Sequence, residues 1–292
     1  MKKIISDCDN TFGVPGCDLD DGLAIIYSLG TMRCELLGVT TTFGNNAIDV
    51  VYPNTVKFMK NIGRSDIPVL SGHENNAEKN EAARFLVDTV ALCPGEVSIL
   101  ATGSVTNLYH AWLLDPRFFE NVQSLSFMGG ITEPLVICGK KLDELNFACN
   151  SLAAFNVLTH GNFISIATGN NCLRALFTRE RFDSLQNCEN DFLKWLNQQG
   201  QYWFHREREV FGHDGIYKWD VYAAAALLCP EFFDENITVI SPDLDSLKSG
   251  MLLGQGVPKK VALPKLKDSQ AYVEHVYESY TNFASLVSDL AL

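Results

Sequence analysis

Short, almost unbroken apolar runs alternate along this chain with longer stretches in which apolar residues recur every three or four positions. The runs Lys3–Ser6, Leu36–Thr42, Ile67–Leu70, Val97–Thr102, Ser124–Met128 and Phe163–Ala167 are rich in Val, Ile, Leu and Phe without strict alternation, as in strands covered on both faces. Between them, 20–29, 55–62, 82–92, 105–114 and 152–159 read as helices, with Pro53 marking the start or a kink of the second. Further on, 191–210 and the alanine-rich 219–228 predict helices, and 237–240, 250–253 and 260–263 predict edge strands. A stripe of Val273, Val276, Tyr280, Phe283 and Val287 predicts a docked helix over 270–290. This alternation predicts an α/β fold, a doubly wound, mostly parallel central sheet with flanking helices. No linker, repeat or low-complexity tract interrupts it, so residues 1–292 are expected to form a single domain.

In such sheets ligands bind outside the carboxyl ends of the strands. Those ends carry the unusual residues here: Asp7 and Asp9 after the first strand, Gly44-Asn45-Asn46 after the second, Ala101-Thr102-Gly103 after the fourth and Met128-Gly129-Gly130 after the fifth. Five aspartates (Asp7, Asp9, Asp18, Asp20 and Asp21) fall within or just after the first strand. Carboxylates crowded at one strand end repel one another, and burial raises their pKa values. A divalent cation relieves both problems, and oxygen-only ligands favour a hard ion such as Ca²⁺ or Mg²⁺. Helix N-capping accounts for one or two of these aspartates, not for all of them.

The bulk numbers narrow the classes. At 292 residues and 47% hydrophobic the chain can bury a large core. A net charge of −12 argues against nucleic acid or an anionic membrane as a partner, and no apolar run is long enough to span a bilayer. The start Met1-Lys2-Lys3-Ile4-Ile5 has the charge of a signal peptide, but Asp7 and Asp9 interrupt it before an apolar stretch develops. Nine scattered cysteines with no Cys-x-x-Cys pair fit reduced thiols and a cytoplasmic location.

Asp7-x-Asp9, followed by Asp20-Asp21-Gly22-Leu23-Ala24 at a helix start, resembles the N-terminal signature of the calcium-dependent nucleoside hydrolases. Gly38-Val39-Thr40-Thr41 through Gly44-Asn45, Ala101-Thr102-Gly103-Ser104-Val105-Thr106-Asn107-Leu108, Met128-Gly129-Gly130, Glu144-Leu145-Asn146 and Trp219-Asp220 follow in the family's order, over roughly residues 3–230. The resemblance implies that Asp9, Asp21, Asp220 and the backbone carbonyl of Thr102 ligate Ca²⁺. It implies that Asp9 takes the proton of a metal-activated water that attacks the ribose anomeric carbon through an oxocarbenium-like transition state. Asp20, Asn45, Glu144 and Asn146 would hold the ribose hydroxyls, Met128 would pack beneath the sugar and Asp7 would support the site from behind. A small-molecule nucleoside substrate, a role in purine salvage, poor use of deoxynucleosides and a homodimer or homotetramer are further implications.

Two departures from the family pattern matter. The first loop is longer, with Asn10-Thr11-Phe12-Gly13-Val14-Pro15-Gly16-Cys17 where many members have a Pro-Gly turn. Trp219 stands where many members place a histidine that protonates the leaving base; an indole cannot do this, and a Trp there resembles the purine-specific branch, where stacking assists base departure. That branch's other stacking Trp has no evident counterpart, His73 being a weak stand-in. Tyr202, Trp203 and His205 with Arg206, Glu207, Arg208 and Glu209 read as a helix with a packed aromatic face and a solvated charged one, His205 or His213 being a minor alternative for the acid. Two other functions compete. Asp7-Cys8-Asp9-Asn10-Thr11 fits the start of haloacid-dehalogenase-type Mg²⁺-dependent phosphatases, with Asp7 as nucleophile and Asp9 as acid/base, but leaves the later motifs unexplained. A non-catalytic nucleoside or ribose binder would keep the pocket without needing Asp9 as a base.

Overall fold

A computed structural model of the chain describes residues 1–287. Eight strands form one sheet: β1 (Lys2–Cys8), β2 (Cys34–Thr41), β3 (Val69–Ser71), β4 (Val97–Ala101), β5 (Ser124–Met128), β6 (Ile164–Ala167), β7 (Ile237–Ile240) and β8 (Lys259–Ala262). Their order is β7-β8-β6-β5-β4-β1-β2-β3, parallel throughout except for the edge strand β7, which runs antiparallel to β8. The order reverses at β1, so the crevice above its carboxyl end is where a ligand site is expected.

Both faces are covered, which explains the apolar runs. In β1, Ile4 and Cys8 join a core built with α1 (Asp20–Gly30), α2 (Ile48–Asn61), α6 (Asp191–Phe211), α7 (Trp219–Leu228) and α8 (Ser269–Leu286). Ile5 joins the opposite core with α3 (Glu81–Leu92), α4 (Thr106–Leu114) and α5 (Ser151–His160). This is the doubly wound α/β sheet with flanking helices that the sequence predicts. No helix among the described residues is long and apolar enough to cross a membrane.

Three boundaries differ from expectation. Helix α2 starts at Ile48, so Pro53 lies inside it and removes one hydrogen bond from its ladder rather than opening the helix. Residues 250–253 form no strand. Gly250 takes a left-handed turn (φ +70°), and the segment straps across the Gly130–Ile131 loop through Ile131 N–H to Gly250 O (2.8 Å) and Leu252 N–H to Ile131 O (2.9 Å). The last helix ends at Leu286, and 288–290 of its expected span lie outside the described residues.

Two packing details hold the site-bearing helices. A Cβ on Gly30 would lie 1.9 Å from the carbonyl oxygen of Ser279, so only glycine lets α1 approach α8 this closely. Before α7, the strand Gly215–Tyr217 pairs antiparallel with Leu176–Thr178, and Lys218 then turns its ammonium into a box of rings, 4.1 Å from the centroid of Phe177, 4.5 Å from Tyr277 and 4.7 Å from Tyr280. Burial pushes the pKa of this lysine well down, opposed by the negative ring faces. Gly30→Ala should destabilise the protein by about 1–3 kcal/mol, the cost of forcing two packed helices apart. Thermal denaturation of the variant checks this; an unchanged midpoint would contradict the close approach.

Candidate active site

The parallel sheet sets the carboxyl ends of β1, β2, β4 and β5 side by side, and the first turns of α1 and α7 face them. Carboxylate oxygens of Asp18, Asp20 and Asp21 lie within 4.8 Å of one another. Asn45, after β2, straddles the group. Its backbone N–H donates to Asp9 Oδ2, and its side-chain amide donates to Asp18 Oδ1 at 3.0 Å, Asp9 Oδ1 at 3.4 Å and Asp21 Oδ2 at 3.5 Å. Thr102 Oγ1 donates to Asp21 Oδ1 at 2.7 Å, and the Asp220 N–H donates to Asp20 Oδ2 at 3.3 Å. The close fit depends on Gly44, where a Cβ would stand 2.1 Å from Asp9 Oδ2.

Asp7 is deeper. Thr40 Oγ1 (2.6 Å) and Asn107 Nδ2 (2.7 Å) both donate to its Oδ1, and its Oδ2 is buried without a partner. Its side chain braces the ends of β1 and β2.

Beside the carboxylates lies a cavity of about 200 Å³ with a mixed lining. Asp18, Asp20, Asn45, Thr102 and Asp220 supply acidic and polar groups to it. Met128, Glu144 and Asn146 line it as well. Asn146 Nδ2 donates to Thr102 O (2.9 Å) and Met128 O (3.0 Å), so its own Oδ1 is the atom left to accept from a ligand hydroxyl. Both oxygens of Glu144 accept backbone N–H groups, from Gly130 (3.0 Å), Phe147 (3.0 Å) and Ala148 (2.9 Å), so this carboxylate also fixes the loop that shapes the cavity. The lining also includes four aromatic residues, Trp203, Phe211, Tyr217 and Trp219, together with Arg206 and Glu207. Tyr217 and Trp219 rings are 5.4 Å apart, and the Arg206 guanidinium lies 4.5 Å over Trp203.

The profile of the inosine-uridine preferring nucleoside hydrolases matches residues 4–274. The chain belongs to the inosine-uridine preferring nucleoside hydrolase family. A probable uridine nucleosidase 1 of Oryza sativa subsp. japonica is 27% identical over 88% of this chain and 86% of its own length. Uridine nucleosidase 1 of Arabidopsis thaliana is 27% identical over 88% of this chain and 83% of its own length. Among solved structures, a plant nucleoside hydrolase superposes with a TM-score of 0.83 at 22% identity, covering 96% of this chain and 99% of that one. A purine-preferring ribonucleoside hydrolase from Gardnerella vaginalis gives 0.82 at 19% identity, covering 98% and 100%; these two likenesses speak for the fold alone. The protein is thus a nucleoside hydrolase, an enzyme of the N-glycosidic bond of ribonucleosides.

In this hydrolase the sequence-predicted residues converge. Asp9, Asp20, Asp21, Asn45, Thr102 and Asp220 form one hydrogen-bonded group, and Met128, Glu144, Asn146 and Trp219 line the same cavity. Burial pushes the Asp9 carboxyl up to about 6. Burial, and after it the neighbouring carboxylates, pushes Asp18, Asp21 and Asp220 well above the usual carboxylate range, and burial raises Asp20 as well. Among the described residues no lysine or arginine pairs with any of the five. Crowded oxygen donors with no protein counter-ion fit a hard divalent cation, and Asp18, Asp20 and Asp21 bring their oxygens close enough together to hold one.

The sequence reading counted Asp18 among the crowded aspartates but gave it no individual role, and it gave no site role to Trp203 or Glu207. Asp18 sits in the acidic group. Trp203, Glu207 and Phe211 are spaced i, i+4 and i+8 on α6 and present one stripe to the cavity. A carboxylate between two aromatic residues on one helical face was the available signal, hidden because Arg206, Arg208 and Glu209 made the whole segment look solvated. His73 and His205 are not on the cavity; the His205 side chain is 70% exposed and meets Glu209 at 3.2 Å.

A titration follows. Each buried aspartate binds its proton more tightly folded than unfolded, so the metal-free protein is most stable at acidic pH. It loses stability as pH rises from the ordinary aspartate range of about 4 through about 6 to 7, where Asp9 and Asp7 ionise. Thermal denaturation in chelator should show a lower midpoint at pH 8 than at pH 5, and a divalent cation should restore stability chiefly at pH 8. Identical slopes with and without cation would refute the shared ligand role.

Proposed function

We propose that this nucleoside hydrolase uses Ca²⁺ and prefers purine ribonucleosides, releasing free base and ribose for purine salvage in the cytoplasm. The observation that carries this reading is the mixed lining of the cavity. Its carboxylates and amides suit a sugar, and Trp203 and Trp219 suit a flat bicyclic base. Trp203 would be the second stacking ring that the sequence alone did not reveal.

Bound Ca²⁺ would supply Lewis acidity among the carboxylates. The chain's residues do the rest. Asp9, its two oxygens steadied by Asn45, accepts the proton of the attacking water. Asp20 and the Asn146 Oδ1 accept hydrogen bonds from ribose hydroxyls and fix the anomeric carbon in line with that water. Positive charge developing on the ribose ring is stabilised by the surrounding carboxylates. Stacking between rings holds the base while the glycosidic bond lengthens.

A second reading has an observation of its own. The rice and Arabidopsis relatives are named for uridine, which would make the aromatic lining a general base platform rather than a purine-selective one. A homodimer or homotetramer belongs to the proposal as well. Support for it comes from the exposed apolar side chains Ile237 and Val239 on edge strand β7, with Leu253 and Val257 nearby in sequence to its β8 connection.

Base release from inosine, guanosine, adenosine, uridine and cytidine, with Ca²⁺ and then with chelator, is the deciding assay. Faster chelator-sensitive release from the purine nucleosides is expected. Uridine as the fastest substrate would move the preference to the second reading, and chelator-insensitive turnover would remove the metal. Asp9→Asn should cut kcat at least about 100-fold with Ca²⁺ present, the scale of a lost general base. A variant that keeps full turnover would end the role of Asp9.

A further inference from the structure

Cleaving an N-glycosidic bond leaves the electron pair on the base, and a purine or pyrimidine anion departs slowly unless it is protonated as it leaves. Trp219 cannot supply that proton. One acid does stand among the aromatic residues of the lining. We propose that Glu207 is the leaving-group acid of this enzyme, poised in the wall against which the base stacks. The inference rests on the ribonucleoside-hydrolase reading and assigns a residue to its unfilled step.

Glu207 is 5% exposed, yet it lines the cavity beside Trp203, Phe211, Tyr217 and Trp219. A base stacked on these rings would lie beside its carboxyl. The groups around it are few. On its own helix, Arg206 Nη1 lies 3.0 Å from Oε1. From the turn after α6, His213 Nε2 lies 3.8 Å from Oε2 and its ring stacks against Phe211 with centroids 6.0 Å apart. Tyr217 faces it from the strand Gly215–Tyr217, and Asp20 acts on it from α1.

The electrostatics agree with a donor. Burial pushes the Glu207 carboxyl up to about 7, with the repulsion of Asp20 adding to it and the Arg206 guanidinium working against it. A carboxylic acid that keeps its proton near neutrality is the state a general acid requires. Burial also holds the His213 imidazole below its ordinary range, so its positive charge is disfavoured beside this carboxyl.

The step balances. The C1′–N9 bond of a purine nucleoside breaks and its electron pair goes to the base, whose N7 takes the Glu207 proton. Water forms the new C1′–O bond and gives a proton to Asp9. Passage of one proton from Asp9 to Glu207 through solvent resets both groups, so nucleoside and water become ribose and neutral base.

The test compares substrates that differ in their need for the proton. Glu207→Gln keeps the volume and polarity of the side chain but cannot act as an acid. With inosine, kcat should fall about 100-fold or more, the low end for a lost general acid. With p-nitrophenyl riboside, whose phenolate leaves unprotonated, kcat should fall far less. In the wild type, kcat for inosine should decline as pH rises above about 7, and this limb should vanish in Glu207→Gln while Glu207→Asp regains part of the rate. Equal losses on both substrates, or an unchanged rate on inosine, would overturn the assignment and leave Glu207 a wall residue. Wild-type protein inert on every riboside would overturn the parent reading along with it, an outcome that no behaviour of Glu207→Gln can imitate.

Discussion

Repulsion among crowded carboxylates is the force that the carboxyl edge of this sheet has to contain. Asp9, Asp20, Asp21 and Asp220 are buried and Asp18 half-buried, with no protein cation among the described residues to balance them. Three devices hold them in place. Asn45 spreads donors over three of the aspartates, Thr102 supplies a hydroxyl to Asp21, and the α1 and α7 first turns bring Asp20, Asp21 and Asp220 to helix N-termini, where negative charge is favoured. These devices orient the oxygens without neutralising them. Oxygen donors crowded and oriented in this way suit a hard cation.

The rest of the cavity is arranged around that charge. Its lining is also aromatic, and the rings are held by neighbours: Tyr217 by Trp219, Phe211 by His213, Trp203 by the Arg206 guanidinium. The proposed reaction needs both kinds of surface in one small space. Water activation wants anionic oxygens, whereas a departing base wants a flat apolar surface and a proton. A single uniform environment could not serve both.

The sheet was legible in the sequence because parallel strands covered on both faces carry apolar runs without strict alternation, as Ile4-Ile5, Leu36-Leu37 and Ile99-Leu100-Ala101 do in β1, β2 and β4. The strand-end residues were legible for a related reason: Asp9, Asn45, Thr102 and Met128 interrupt or end apolar runs where nothing structural demands polar chemistry. What escaped was set by contacts far apart in sequence. The strap at Gly250 reads as a strand until the Gly130–Ile131 loop is seen beside it. Pro53 reads as a helix start until α2 is seen to begin upstream. Glu207 reads as one charge among several on a solvated helix until the cavity is closed over it by the opposing elements. Helical spacing from Trp203 to Phe211 could have flagged it, but burial of a carboxylate is a tertiary fact.

The ring-lined box around Lys218 ties the beginning of the reaction centre to the far end of the described chain. Lys218 immediately precedes Trp219 and Asp220, and two of its rings, Tyr277 and Tyr280, belong to α8. Helix α8 also presses on α1 at Gly30, the helix that carries Asp20 and Asp21. During synthesis on the ribosome, the carboxylates contributed by the first strand and first helix therefore emerge long before the helix that clamps them in position. Contacts of such sequence separation form late in folding. The nascent chain must carry its most repulsive segment unclamped until the last long helix is made, so ligand competence arrives as one of the final events of folding rather than growing with the sheet.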